Sequence, residues 1–308
     1  MEREQVFSEK NLEKDKKKRK LKRNLFILSI LAVPVVHWLV FWLYVNLNSI
    51  LLAFKLPSGS WSIETLKQVV NELFEPNSDL GIALKNTMAY FIKDVIMLFW
   101  QLIIAYLFYK KITWHRFFRI VFYLPAIISA VTMVTMFRAI IGSEGVVAKI
   151  FEQLNLEFPK LLRDSRYATK TIMFFTIWIG WGGEMLVLGG AFERIPAEVL
   201  EAAKLDGVGP VRELTQLIVP MIWPTISTFL ILYATGLFNA SGPIFLFGTK
   251  GSYETWTLSY WIFHKVLYGG SGQYNTVSAM GLIFTCIGVP IVMFVRWLFE
   301  RVIPAVEY

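Results

Sequence analysis

The sequence predicts an all-α fold: a polytopic membrane bundle of six transmembrane helices. Three observations carry that prediction. Hydrophobic residues are 55% of the 308 and charged residues only 18%, and the mean hydropathy is +0.51, whereas a soluble domain averages about 25% charged and about 45–50% apolar. That surplus exceeds what one soluble core buries, which disfavours a water-soluble enzyme, and the same figures exclude disorder. Six apolar stretches reach the roughly 20 residues that a helix needs to cross the hydrocarbon slab. Positive charge is also gathered at one end, where residues 1–24 carry +5 of the net +8.

That basic tail, residues 1–24, sets the topology. Lys14, Lys16, Lys17, Lys18, Arg19, Lys20, Lys22 and Arg23 directly precede the first span, Leu25–Val45, and short flanking Lys/Arg clusters stay cytoplasmic. A cleaved leader is disfavoured, because the apolar stretch exceeds the usual 7–15 residues and no small-residue cleavage pattern follows. The basic run also suits anionic membrane lipid. The second span is Met88–Tyr109, and Lys110, Lys111, Arg116 and Arg119 after it repeat the inside sign. In the second span Lys93 and Asp94 are adjacent and do not share a helix face. They are expected toward the outer leaflet with the lysine snorkelling. The third span is Phe118–Ile140. Lys149, Lys160, Arg163 and Arg166 follow it beside Glu152, Glu157 and Asp164, which reads as a folded external patch.

The remaining spans are Thr171–Phe192, Trp223–Phe247 and Val277–Leu298. The external pieces are Lys55–Thr87, Gly142–Lys170 and Thr249–Asn275, with Ser60 or Ser62 expected to cap a helix and Gly269, Gly270, Ser271 and Gly272 forming a turn. Six spans put both termini inside a multi-pass membrane protein. The expected division is the tail 1–24, a six-span domain 25–300 and a short cytoplasmic end 301–308.

The chain offers little chemistry of its own. A single Cys286 excludes an internal disulfide and a multi-thiolate metal site. His37, His115 and His264 lie on separate segments without metal-ligand spacing. No phosphate loop is present, and neither paired catalytic carboxylates nor a nucleophile–histidine spacing occurs. The reading is a non-enzymatic chain with no metal and no cofactor, and the tail-bound charge argues against nucleic acid as a partner.

The informative stretch is the loop at about 193–222. Pro196 suits a first helical turn, and Glu198 and Glu201 suit a positive helix end. Ala202 and Ala203 are strong helix formers of small bulk, and Asp206-Gly207 supplies a break with glycine free to take a left-handed cap. Gly209-Pro210 opens a second helical piece that runs to Pro220 and Pro224. The result is helix, glycine elbow, helix, a small-surfaced unit shaped to insert into a groove on a second protein.

Glu201-Ala202-Ala203, Gly207 and Leu217-x-Val219-Pro220 together resemble the EAA loop of binding-protein-dependent ABC importer permeases. The family usually has Ile and Leu where this chain has Leu217 and Val219. Asn86-Thr87, Phe122-Tyr123-Leu124-Pro125, Ile177-Trp178-x-Gly180 and Ile195-Pro196 resemble the type I, maltose-transporter-like sugar permeases, and the likeness spans nearly all of residues 25–300. Gly248-Thr249-Lys250-Gly251 departs from the family's Gly-Gly-Pro turn. The resemblance implies the transmembrane domain of a type I ABC importer, carrying a sugar or oligosaccharide by alternating access. It implies Glu201, Ala202, Ala203, Asp206, Gly207 and Pro220 as the ATPase-coupling residues, and ATP and Mg bound on partner subunits. The implied partners are a second homologous permease, two cytoplasmic ATPases and an extracytoplasmic solute-binding protein.

A sugar site needs aromatic platforms and side-chain hydrogen bonders facing the bundle interior. Where family members line the path, this chain has Trp178, Gly180, Gly183 and Glu184 in the fourth span and Tyr233, Phe238, Asn239 and Ser241 in the fifth. For Glu184 two roles stand open, acceptor for a cargo hydroxyl or partner of an Arg or Lys on another subunit. The rival class is a secondary transporter driven by an ion gradient, which would show broken helices at matching positions of two repeats.

Overall fold

The computed structural model describes residues 2–56, 58–237, 242–249 and 251–302. The chain opens as one rod. α1 (Glu2–Trp38) runs through the basic tail, passes into a π-helical stretch at Leu39–Tyr44 and ends as α2 (Val45–Ala53). No structural boundary therefore separates the tail from the first span. α3 (Glu64–Phe74) starts after Ile63, and the Ser62 hydroxyl accepts the Glu64 N–H at 3.1 Å, so the expected serine cap acts from one residue outside. α4 (Asp79–Tyr109) begins well before the expected Met88 because Ser78 caps it, accepting the Gly81 N–H at 2.9 Å.

Three expected spans are not the single helices that hydropathy suggests. Phe118–Ile140 is two pieces, α5 (His115–Ile127) and α6 (Ala130–Ile141), parted where Ile128 turns extended. Pro125 has no N–H for the ladder and its ring crowds the preceding turn, so the helix is already weakened on the approach to the break. Beyond the short α7 (Val146–Gln153), Thr171–Phe192 likewise divides into α8 (Ala168–Ile179) and α9 (Gly182–Phe192) at Gly180-Trp181. The loop supplies α10 (Ala197–Leu205), then α11 (Pro210–Arg212), a π-helical Glu213–Ile218 and α12 (Val219–Met221) as one piece. This piece meets α13 (Trp223–Gly236) at 74°.

The fifth span therefore stops at Gly236 rather than Phe247, and Gly242–Phe247 winds as a 3₁₀ helix. The stretch expected to be an external loop at Thr249–Asn275 contains α14 (Leu258–Tyr268), whose Leu258, Tyr260 and Trp261 are buried against α4 and α15 (Tyr274–Val302). Five helical stretches are long and apolar enough to cross a bilayer, and the bent 210–221/223–236 pair makes a sixth. Among the described residues the only β-pairing is one antiparallel bridge, Lys55 to Trp61. Of the charges expected to pair after the third span, Arg166 closes on Asp164 at 2.8 Å, and its hydrogen bonds hold the Asp164 carboxyl below the usual range.

Two apolar clusters hold the bundle, and α4 contributes to both. One gathers Ala83, Phe137, Phe175, Trp256, Trp261 and Met280. The other, toward the opposite end of α4, gathers Leu102, Tyr106, Leu188, Phe192, Ile218 and Ile222. The first span stands apart. The apolar window within Lys16–Ala53 is 0% buried, and its end α2 leans on α15, where the Asn275 amide donates to the carbonyls of Leu52 and Lys55 at 3.1 and 2.8 Å.

Gly182 lets α9 press its backbone against α5. A Cβ there would lie 2.9 Å from Ala126 Cβ and 3.1 Å from Tyr123 Cα. Gly183 beside it faces open space. Gly182→Leu should therefore overpack the α5–α9 contact at a cost of about 1–3 kcal/mol. Gly183→Ala is expected to stay near wild type. Thermal unfolding of the two purified variants in detergent checks the contrast.

Candidate functional site

The loop at one end of the bundle has the expected helix–elbow–helix form. Pro196 stands at the N-cap of α10 rather than inside it. Leu200 and Ala203, three residues apart and so on one face, are 8% and 6% exposed, and they hold α10 to the bundle. Glu201, Ala202, Asp206 and Gly207 are exposed. Gly207 has φ +72° and donates to Lys204 O at 3.1 Å, while Val208 N–H reaches Ala203 O at 3.0 Å. That paired closure on a left-handed residue is the cap glycine adopts without a Cβ penalty. Leu205 and Val211, 89% and 75% exposed, flank the elbow as bare apolar tips. Pro220 lies in α12, where its missing N–H leaves a carbonyl one turn back free, and the preceding ladder is π-wound.

Two features of this end were not legible in the loop motif. A cavity of about 550 Å³ opens beside α10, lined by Lys111, His115, Arg119, Glu193, Glu201 and Lys204. Under the second helical piece, Lys110 Nζ lies 2.6 and 2.8 Å from the two carboxylate oxygens of Glu213, which is 3% exposed. The Tyr106 hydroxyl donates to Pro210 O at 3.3 Å beside them. Lys110, read from sequence as one more inside charge, is thus committed to a partner.

Between the two apolar clusters lies a polar belt centred on the break in the fourth span. Gln101, 2% exposed, donates through Nε2 to Gly180 O at 2.7 Å and to Glu184 Oε2 at 3.1 Å. The Tyr233 hydroxyl interacts with the same Glu184 carboxylate. So Gly180, Glu184 and Tyr233 come together around a Gln101 that sequence reading passed over. The signal was present, since a carboxamide deep in a span is costly unless it is paired.

Lys93 and Asp94 correct a second expectation. They form an ion pair, because the lysine stem is long enough to curl back to its neighbour, and the Lys93 side chain is only 12% exposed. Both line a cavity of about 360 Å³ with Tyr90, Gly180, Tyr233 and Thr257. The buried Thr257 hydroxyl has no hydrogen-bond partner among the described residues. Trp178 stands instead in the aromatic cluster, 6.0 Å from Phe137 and 6.2 Å from Phe175. Phe238, Asn239 and Ser241 lie outside the described residues.

The captured carbonyl in the fourth span and the glycine elbow at one end are the two features that set this bundle apart from a plain helical one. Residues 87–308 match the family described as binding-protein-dependent transport system inner membrane component. The chain belongs to that family. This transport component is 29% identical over 196 residues to the maltodextrin transport system permease protein MdxF of Bacillus subtilis, a match spanning 58% of this chain and 45% of that one. It is 26% identical over 221 residues to the multiple sugar-binding transport system permease protein MsmF of Streptococcus mutans, covering 70% of this chain and 74% of that one. The chain thus spans about half the length of the first of these relatives. In fold it matches a bacterial ABC transporter involved in import of the acidic polysaccharide alginate, with TM-score 0.78 and 22% identity over 92% of this chain and 98% of that one.

Gln101→Leu removes the donor from the half-buried Gly180 carbonyl, while the Glu184 carboxylate keeps its contact with Tyr233. The transport component should lose about 1–3 kcal/mol of stability for the orphaned carbonyl. Gln101→Leu should therefore unfold at a clearly lower temperature than Thr235→Val, whose hydroxyl only back-bonds its own helix at Ile231 O. Parallel melts of the two variants decide it.

Proposed function

We propose that this chain is a membrane subunit of an ATP-driven, binding-protein-dependent importer for a sugar or oligosaccharide, working by alternating access. The observation that carries the reading is the elbow: a buried anchor at Leu200 and Ala203, a left-handed Gly207, and bare Leu205 and Val211 at the tip. Apolar side chains this exposed at the end of a transmembrane bundle call for a protein groove. In this reading the groove belongs to a cytoplasmic ATPase, two of which bind ATP and Mg. A second homologous permease completes the pore and an extracytoplasmic solute-binding protein delivers cargo. Both termini are then cytoplasmic, in the cell membrane of a prokaryote.

The division of labour follows from the residues. Glu201 and Asp206 offer exposed carboxylates to basic groups of the ATPase, Ala202 keeps the contact face flat, and Gly207 sets the angle between the two pieces. Ala203 and Pro220 shape the unit from inside. When the ATPases close, the elbows move together and the second piece pulls on the bundle. The cavity at Tyr90, Lys93, Asp94, Tyr233 and Thr257 supports a polyhydroxyl cargo, since it offers aromatic faces and a fixed ion pair. The names of the similar maltodextrin and multiple-sugar permeases support the same cargo class.

Glu201→Lys reverses a contact charge, and Gly207→Leu places a Cβ at φ +72°, which costs about 1–2 kcal/mol. Each is expected to cut cargo uptake by more than tenfold while the chain reaches the membrane at near-normal level. Uptake equal to wild type in both variants overturns the coupling role. Tyr233→Phe is expected to weaken uptake severalfold with ATPase assembly intact, read by copurification of the complex alongside transport.

A further inference from the structure

We propose that the half-buried Lys110–Glu213 pair is a positioning latch that makes the second helical piece of the elbow and α4 move as one body. The inference goes beyond the coupling role of the elbow and rests on the importer reading for its transport arm alone.

The geometry is specific. Lys110 lies just past the end of α4, and Glu213 opens the π-wound stretch of the 210–221 piece. The carboxylate is 3% exposed, and the ammonium reaches both of its oxygens, at 2.6 and 2.8 Å. Tyr106 adds a second tie one turn earlier on α4, to Pro210 O at 3.3 Å, and its ring lies 5.7 Å from the same ammonium. Taking the Glu213 carboxylate out of water is a poor way to gain stability, since apolar residues of like volume serve as well. What it supplies is direction. It fixes one face of the piece to one helix, where apolar packing at Ile218 and Ile222 alone would permit sliding.

A contact on the opposite face of α4 gives the latch its use. Gln101 lies nine residues before Lys110, about two and a half turns, and so on the opposite face of the helix. There it holds Gly180 O and Glu184 at the break in the fourth span. α4 is therefore a strut, gripped on one face by the elbow's second piece and on the other gripping the broken span. A displacement at Gly207 reaches the polar cavity through this strut if the latch is closed. Without the charge pair, the elbow moves and α4 does not follow.

Two measurements test the latch. The first uses the full chain in detergent, with Cys286→Ser and spin labels at Phe99→Cys and Thr215→Cys, both exposed positions. Glu213→Gln is expected to broaden the label-to-label distance distribution at least twofold relative to the latched chain. An unchanged distribution overturns the latch whatever the partners prove to be. The second uses the assembled transporter in proteoliposomes, scoring cargo taken up per ATP hydrolysed. Glu213→Gln and Lys110→Met are expected to lower that ratio at least tenfold with ATP hydrolysis retained, and Lys110→Arg to stay within twofold of wild type. A wild-type ratio in Glu213→Gln, or Lys110→Arg as defective as Lys110→Met, overturns it. If the wild-type assembly itself shows no ATP-driven uptake, the importer reading fails, and the distance measurement alone then decides the latch.

Discussion

A backbone carbonyl set loose inside a membrane must find a donor, because lipid offers none. The helical ladder of the fourth span is interrupted at Gly180-Trp181, and the Gly180 carbonyl is met by Gln101 at 2.7 Å. Much of the bundle is arranged around that one bond. It fixes the register of α4 against α8 and α9, and it brings Gln101 beside Glu184, which in turn faces Tyr233. Just beyond the break, Gly182 lets the second half of the span close on α5. An unbroken ladder would have needed none of these arrangements. It would also have left no polar gap between the two apolar clusters.

Sequence and structure agree most where the physics is local. The elbow was legible residue by residue, since proline, alanine and an Asp-Gly end each dictate backbone behaviour within a turn. Gly207 adopts the left-handed cap that Asp206-Gly207 implies. The number of apolar stretches and the all-helical class follow from composition and length alone. Where the reading failed, the cause was tertiary. Hydropathy cannot see an interruption of the ladder that a distant glutamine compensates, although the fourth span still runs as one membrane-length stretch, Ala168–Phe192. Nor can it see that an eleven-residue helix, Leu258–Tyr268, is buried between longer ones.

The charged residues teach the same lesson from the other side. Lys93 and Asp94 were set aside because adjacent positions point apart on a helix, yet a lysine has enough stem to return to its neighbour. Lys110 was counted toward topology, yet its ammonium is spent on a carboxylate more than a hundred residues away in sequence. In both cases the missing information was the partner. Glu184, for which two roles stood open, already accepts from Gln101 at one of its oxygens.

The first span carries a different consequence. Its apolar window buries nothing against its own chain, and it is tethered chiefly where α2 meets α15. Such an arm finds its shelter elsewhere, in acyl chains or in a neighbouring polypeptide. Whatever binds only the folded form raises its apparent stability by mass action. The isolated polypeptide is then an unfinished object, and its melting behaviour is a property of the company it keeps, rising with the abundance of whatever that arm embraces.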